Sequence, residues 1–264
     1  MNYFDNEENI IEWFQTTVTK GDVVFPVGSF SAKRVFKSIF KPQSWKLWKS
    51  SNGKNAPPPD FYSEKNRFMM EVMRVDDHSR LDQSQKWVNP TNRLESQMQK
   101  ELRISGFLDN FPEVTNVFVN AVTDLPTNED HNYQFYYSGF KHTLRKHIKK
   151  IPFYRKNHPG YKVIFFVFDE SSAYVQVNDK ELINRGIRPG EAFDCQIHPW
   201  FIDKRFVDVF RNADIDYLIW YSPFKHIDLQ HPVKIPSVCV YDIKKWNGKY
   251  IREFPEEYIV STEC

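Results

Sequence analysis

Apolar residues recur at helical spacing in five segments of the chain. Residues 6–20 carry such a stripe, and their first turn contains Glu7 and Glu8, where the helix dipole favours negative charge. In residues 132–151 the stripe consists of Phe140, Leu144, Ile148 and Ile151. The same spacing predicts a basic amphipathic helix over residues 31–50 and further helices over residues 92–105 and 201–212.

Strand patterns alternate with these helices. Residues 161–168 (YKVIFFVF) are an almost continuous apolar run, which is typical of a central strand buried on both faces. Shorter runs predict strands over residues 23–27, 115–122, 216–221 and 237–241. This order predicts an α/β fold with a mixed central sheet flanked by helices. We expect one domain over residues 1–264, in which residues 1–58 form a helical, basic N-terminal part.

A β-hairpin is predicted directly after the triple proline at residues 57–59. Its strands are residues 60–63 and 67–75, and residues 64–66 form the turn. Because strand side chains alternate between faces, the second strand has one face with Met69, Glu71, Met73 and Val75 and an opposite face with Met70, Val72 and Arg74.

Composition narrows the class of protein. No run of about 18 apolar residues is present, so nothing predicts a membrane span, and residues 1–11 lack the basic-then-apolar order of a signal peptide. The cysteines are Cys195, Cys239 and Cys264, too few and too far apart for a disulfide framework. We therefore expect a cytoplasmic protein that does not bind membranes.

Charge is distributed unevenly, although the net charge is only +2. Residues 23–59 contain no acidic residue but seven basic ones, and a second basic stretch covers residues 141–156. Such segments are compatible either with a surface that faces a polyanion or with ordinary solvated helix faces. In the first interpretation Lys141, Arg145 and Lys149 of the predicted helix bind nucleic-acid phosphates.

The hairpin resembles the PD-(D/E)xK superfamily of restriction-endonuclease-like nucleases. These proteins place an aspartate, often after proline, at the start of one core strand and a D/E-x-K triplet on the next strand. Here Pro59-Asp60 and Glu71-Val72-Met73 stand at those places, and the resemblance extends over residues 6–108. It implies a restriction-endonuclease-like core and a Mg²⁺-dependent phosphodiesterase that cleaves DNA or RNA, with Asp60 and Glu71 as catalytic metal ligands.

The physical requirement for such a site is that both carboxylates share one face. Mg²⁺ prefers oxygen ligands and is often bound by one or two carboxylates with several waters. Pairing of Asp60 with Glu71, or with Met69, puts the two acids on the same face. Pairing of Asp60 with Met70 puts them on opposite faces and excludes the site.

Met73 stands where the superfamily has its lysine, which orients the attacking water and offsets negative charge. Either a lysine from another segment replaces it, with Lys65 and Lys100 as candidates, or the site is impaired. We take Lys100 as the third catalytic residue. Glu64 and Glu12 are candidates for a further metal ligand.

The alternative to a nuclease is a non-catalytic module, on a decayed nuclease core, that binds nucleic acid or a protein partner, a second copy of the chain included. In that case Asp60 is a turn residue and Glu71 pairs with a cation. Other candidate sites are the acidic turn Asp76–His78, the pair Asp169 and Glu170 at the end of the most apolar strand, and the isolated pair Cys195 and His198. No phosphate-binding glycine motif is present.

Overall fold

The structure is a computed structural model that describes residue 4 and residues 6–51, 58–111, 133–171, 174–176, 204–224, 236–246 and 259–261. The strand predicted over residues 115–122, the isolated pair Cys195 and His198, and Lys54 of the first basic segment lie outside these residues. None of the helices in this part of the chain has the length and apolar character needed to cross a membrane.

Helices occur on both sides of the hairpin and between the later strands. The α-helices are α1 (Glu7–Thr17), α2 (Phe30–Phe40), α3 (Pro42–Trp45), α4 (Pro90–Ile104), α5 (Tyr133–Ile148), α6 (Ile151–Asn157) and α7 (Lys204–Phe210). The strands are β1 (Val23–Val24), β2 (Lys49–Ser50), β3 (Phe61–Ser63), β4 (Phe68–Val75), β5 (Arg80–Leu81), β6 (Trp87–Val88), β7 (Lys162–Asp169), β8 (Tyr174–Gln176), β9 (Tyr217–Tyr221), β10 (Val238–Asp242) and β11 (Ile259–Ser261).

Seven strands form one mixed sheet in the order β1-β10-β9-β7-β4-β3-β2. Strands β3 and β4 are the antiparallel hairpin, whereas β4 is parallel to β7 and β7 is parallel to β9. Strand β10 is antiparallel to β9, and β1 is parallel to β10. The mixed α/β sheet flanked by helices that the sequence predicts is therefore present, and the first 58 residues contribute both of its edge strands.

The two faces of this sheet carry separate apolar cores. We call the side covered by α5, α6 and α7 the α5 face, where Met69, Met73, Val163, Phe165 and Val167 pack with residues such as Phe140 and Trp220. The side covered by α1 and α2 is the α1 face, where Met70, Val72, Ile164, Phe166 and Phe168 pack with residues such as Phe14 and Ile39. The alternation predicted for β4 and the two-sided burial predicted for β7 are both confirmed.

Two predicted helices are interrupted, each near a proline. The helix predicted over residues 31–50 ends at Phe40, and Lys41 is extended (φ −86°, ψ 120°), as the residue before Pro42 is expected to be. The helix predicted over residues 132–151 ends at Ile148, and α6 begins with Pro152 in its first turn. The corner between α5 and α6, which contains Lys149 and Lys150, results from this second break.

The tryptophans at the end of the first basic segment pack inside the protein. Trp45 and Trp48 stack with ring centroids 5.6 Å apart, and the Trp48 indole N–H donates to the carbonyl oxygen of Ser38 at 3.0 Å. Trp48 is buried, and Trp45 contacts the ring of Phe61. Their role is to fix α2 and α3 against the hairpin.

Truncation of Phe140 tests the α5 core. This side chain is fully buried and stacks on Trp220 at 4.7 Å, so we expect Phe140→Ala to lower the free energy of unfolding by about 3–5 kcal/mol. Phe30→Ala is the matched control, because Phe30 is also helical but 83% exposed, and its effect should stay within about 0.5 kcal/mol. Urea unfolding measures both, and equal losses would contradict this assignment of the core.

Candidate functional site

Glu71 is the one acidic residue on β4, and the sheet carries it into the apolar core. It occupies the α5 face between Met69 and Met73 and is only 4% exposed. A buried carboxylate is unfavourable unless polar groups surround it. The α5–α6 corner and α6 supply those groups.

Asp60 lies opposite Glu71 across the hairpin. Phe61 pairs with Met70, Tyr62 with Met69 and Ser63 with Phe68, so one further step places Asp60 against Glu71. This is one of the two registers that keep both acids on one face, and it separates their Cβ atoms by about 4.5–5.5 Å. The Val72 amide donates to Asp60 Oδ2 at 2.7 Å and fixes this carboxylate.

Two basic side chains, a histidine and a lysine, approach Glu71 from the α5–α6 corner. His147 Nδ1 lies 2.6 Å from Glu71 Oε1, and Lys150 Nζ lies 3.6 Å from the same oxygen. His147 extends the buried stripe of α5, three residues after Leu144, and this places it above β4. Lys150 is a third exposed, so it joins the buried acid to the surface.

The lysine beside Glu71 is therefore not one of the two that the sequence suggested. Lys65 is exposed in the hairpin turn and Lys100 is exposed on α4, and no ion pair in the described residues joins either of them to Asp60 or Glu71. Lys150 lies there instead. The proposed extra ligands also lie elsewhere, since Glu64 pairs with Lys49 at 2.9 Å and Glu12 is exposed on α1.

Burial and mutual repulsion shape the electrostatics of the acid pair. Burial, and then the negative charge of Glu71, raise the pKa of Asp60 to about 8, and Glu7 at the start of α1 adds to this effect. Burial, followed by the charges of Glu71 and Asp60, also raises the pKa of the Tyr154 phenol far above its usual value. Tyr154 therefore stays protonated beside two acids.

Two buried oxygen atoms in this cluster, Glu71 Oε2 and the hydroxyl oxygen of Tyr154, form no hydrogen bond of good geometry within the described residues. The Tyr154 phenol nevertheless lies close enough to the Glu71 carboxylate for a hydrogen bond to it to add to burial in raising the phenol pKa. Buried polar atoms are normally satisfied, so an unpaired carboxylate oxygen next to a second carboxylate favours binding of a proton, a water or a cation.

The acid pair fits the simplest protein site for Mg²⁺. Asp60 and Glu71 supply two carboxylates, and Mg²⁺ is commonly held by one or two carboxylates with waters and substrate phosphates. No group of three or more His, Cys, Asp or Glu side chains in the described part of the chain is arranged to hold a metal ion. The residues therefore suit a hydrated ion that substrate helps to bind, and not a closed all-protein cage.

The second basic segment borders a groove of about 710 Å³ between α5 and the β5–β6 hairpin. Lys141, Arg145 and Lys149, which the sequence suggested for nucleic-acid binding, all line it. The first basic segment lies elsewhere, because α2 packs on the α1 face of the sheet. The two basic segments thus face away from each other, and only the second lies on the side of Glu71.

The remaining candidate acids are held by internal contacts. Asp169 Oδ2 accepts hydrogen bonds from Tyr136, Trp220 and Ser222, and its Oδ1 accepts from the Ser171 amide. Glu170 forms a two-pronged ion pair with Arg74, although burial raises its pKa to about 7. Asp76 accepts from the amides of His78 and Ser79 and organises the turn after β4.

Sequence reasoning missed His147, Lys150 and Tyr154. The spacing of α5 gave one usable signal, because His147 continues the buried stripe and a buried histidine needs a polar partner. Nothing in the sequence indicated which strand lies beneath it. Lys150 lies in the corner before α6 and Tyr154 lies in α6 itself, a helix that the sequence pattern did not predict.

Comparison with protein families, with characterised proteins and with solved structures found no match to the chain. The fold and the geometry of the site are therefore the basis for assigning a function.

The raised pKa of Asp60 predicts a stability difference that depends on pH. Because the folded pKa of about 8 lies above the unfolded value of 3.8, ionisation of Asp60 destabilises the fold progressively as pH rises between these values. With a chelator present, Asp60→Asn should therefore melt within a few degrees of wild type at about pH 5. At about pH 9 it should melt ~8–16 °C higher, because ionisation of Asp60 costs the wild type about 4 kcal/mol between pH 5 and pH 8.

Asp82→Asn is the control, because hydrogen bonds from the Lys86 and Ser84 amides and the Ser84 hydroxyl lower the pKa of this exposed acid. It should give no gain at high pH. An Asp60→Asn melting difference that stays constant across pH would contradict the repulsion between Asp60 and Glu71.

Proposed function

We propose that the chain is a metal-dependent nuclease, or a nuclease-like protein, that acts on DNA or RNA. The observation that carries this proposal is the opposed pair Asp60 and Glu71 with Lys150 beside it. The PD-(D/E)xK resemblance calls for two carboxylates on a hairpin and a lysine beside them. Because Met73 stands where the superfamily has this lysine, Lys150 would supply it from another segment.

Each group has a physical role in phosphodiester hydrolysis. Asp60 and Glu71 would hold Mg²⁺, which polarises a phosphate and lowers the pKa of bound water. Lys150 offsets the negative charge that develops on the phosphate. His147 fixes Glu71 through the 2.6 Å contact, so that its second oxygen stays directed at the site.

Access to the site is consistent with this chemistry. Glu71 is nearly inaccessible, but Asp60 and Lys150 are both partly exposed, and solvent reaches the pair from their side. A polymer backbone can approach from outside while Glu71 remains fixed in the core. Met73, in contrast, is buried in the core of the α5 face and contributes packing.

Substitutions at the three groups test the proposal. Asp60→Asn, Glu71→Gln and Lys150→Met should each reduce Mg²⁺-dependent cleavage of single- or double-stranded substrates by at least about 100-fold, because each removes a charge that acts on the reacting phosphate. Gel-resolved cleavage of labelled DNA and RNA measures this.

Lys156→Met and Glu101→Gln are the matched controls, since both residues are exposed on helices and neither forms part of the acid pair. They should cleave like wild type. If folded protein cleaves none of the substrates with Mg²⁺ or Mn²⁺, the chain is not an active nuclease.

Metal binding can be tested without activity. Millimolar Mg²⁺ should raise the melting temperature of wild type at about pH 8, by ~2–4 °C for each kcal/mol of binding, because the ion relieves the repulsion between the carboxylates. Glu71→Gln should abolish this shift, whereas Glu101→Gln should retain it. An equal shift in the wild type, Glu71→Gln and Glu101→Gln would show that the ion does not bind at Asp60 and Glu71.

A non-catalytic binding protein is the second candidate, and one observation favours it. His147 and Lys150 both contact Glu71 Oε1, so the cluster also suits a purely structural polar network. Such a protein would bind nucleic acid or a protein partner through its basic surface. Binding that weakens with salt and survives both Asp60→Asn and Glu71→Gln, without any cleavage, would support it.

A further inference from the structure

The groove between α5 and the β5–β6 hairpin has a composition unlike the rest of the surface. Five cationic side chains line it and no carboxylate does, among the residues that the structure describes. We call this feature the α5 groove. Its cationic lining residues are Arg80, Lys141, Arg145, Lys146 and Lys149.

No ion pair in the described residues includes Lys141, Arg145 or Lys146 of α5, or Lys149, the first residue after it. Lys141, Arg145 and Lys149 follow one another at four-residue spacing, which gives a row of charges about 6 Å apart along the helix. Unpaired cations in a row attract a polyanion and release its counterions on binding.

Aromatic rings alternate with these charges. Trp87 on β6 lies over His142 with ring centroids 4.4 Å apart, and the Lys141 ammonium lies 5.2 Å from the ring centre of Tyr137. Burial, and then the charges of Lys146 and Lys149, lower the pKa of His142, so this ring is neutral at pH 7. The groove therefore offers neutral aromatic surfaces between cations.

This combination matches one kind of polyanion. Base stacking on aromatic side chains, together with a positively charged groove along the backbone, is how single strands are bound without sequence preference. In a duplex the bases stack on each other, and side-chain rings in a groove have no base faces to contact. An acidic peptide would use the cations but not the rings.

The α5 groove also lies next to the acid pair. Lys149 lines the groove, and the next residue, Lys150, reaches Glu71. Along α5, His142 and His147 are separated by about 7.5 Å. Helix α5 thus carries groove residues on one side and His147, which contacts Glu71, on another.

We propose that the α5 groove binds single-stranded nucleic acid, through phosphate contacts of the α5 cations and base stacking on Trp87. That the bound strand is the substrate of the Asp60–Glu71 pair rests on the proposed function. The binding itself does not.

Fluorescence anisotropy with a chelator present tests binding apart from cleavage. Labelled oligo-dT, oligo-rU and a duplex of equal length are the probes, and we expect the single strands to bind at least tenfold more tightly than the duplex. The two single strands distinguish DNA from RNA as the preferred ligand. Equal or tighter duplex binding would overturn the proposal.

The combined variant Lys141→Gln, Arg145→Gln, Lys149→Gln should weaken single-strand binding at least tenfold and reduce the slope of log K against log salt by about 2, as loss of three phosphate contacts implies. The control is Lys33→Gln, Arg34→Gln, Lys37→Gln on α2, whose exposed charges lie on the other side of the sheet. A larger loss in the control would place the ligand on α2 and overturn the proposal.

Trp87→Ala should also weaken binding, whereas Trp87→Phe, which keeps a ring, should restore most of it. Melting curves of both variants identify any loss that arises from unfolding of the hairpin. Equal loss of binding in Trp87→Ala and Trp87→Phe, in folded protein, would exclude stacking on Trp87. Competition by poly-glutamate at equal charge concentration would show that the groove binds anions in general. Both results would overturn the proposal.

The outcomes separate the groove from the nuclease. Binding of single strands by the wild type with a chelator present, but no cleavage with Mg²⁺, would leave the groove assignment intact while the proposed catalysis fails. Cleavage that persists unchanged in the variant Lys141→Gln, Arg145→Gln, Lys149→Gln would support the proposed catalysis. It would also show that the α5 groove does not bind the substrate.

Discussion

The structure depends on the position of β4 between two different neighbours. It pairs antiparallel with β3 on one side and parallel with β7 on the other, and both of its faces are covered by helices. Apart from Arg74, which is partly exposed, every β4 side chain is buried. Glu71 is tolerated because the α5–α6 corner lies above it, and the same register brings Asp60 to the opposite position. Moving the register by one residue would separate the acids and would also turn the apolar residues of β4 to the wrong face.

Part of this arrangement follows from the sequence alone. The apolar run of β7, the alternation in β4 and the turn after Ser63 are local patterns, and they predict the sheet and the hairpin. They leave open which β4 residue lies opposite Asp60, and only the structure gives this register. Lys150 could not be found in this way, because it is 79 residues from Glu71 in the sequence and no periodicity relates a helix end to a distant strand. Lys100 was a reasonable candidate by proximity in sequence, yet α4 presents it to solvent. The break between α5 and α6 near Pro152 forms the corner that places Lys150 beside Glu71.

The buried pair Asp60 and Glu71 is unfavourable for the stability of the fold. A buried carboxylate next to another acid raises the energy of the folded state, and a hydrophobic pair of similar size would often serve the core equally well. His147 and Lys150 contact only one of the two acids, and both contact the same oxygen of Glu71. Elsewhere in the protein, buried acids such as Asp169 have their oxygens satisfied by several donors. Glu71 differs from Asp169 in that its second oxygen has no donor of good geometry among the described residues and a second carboxylate lies opposite it.

The pairing of β1 with β10 has a consequence for how the chain folds during synthesis. Val23 and Val24 acquire their strand partners, Val238 and Cys239, only after more than two hundred further residues have been made. Until then this edge of the sheet stays open, and α2, which packs against β10, lacks its support. Such long-range closure slows folding and exposes apolar surface meanwhile. A nascent chain that ends before β10 therefore exposes apolar surface that β10 covers in the folded protein.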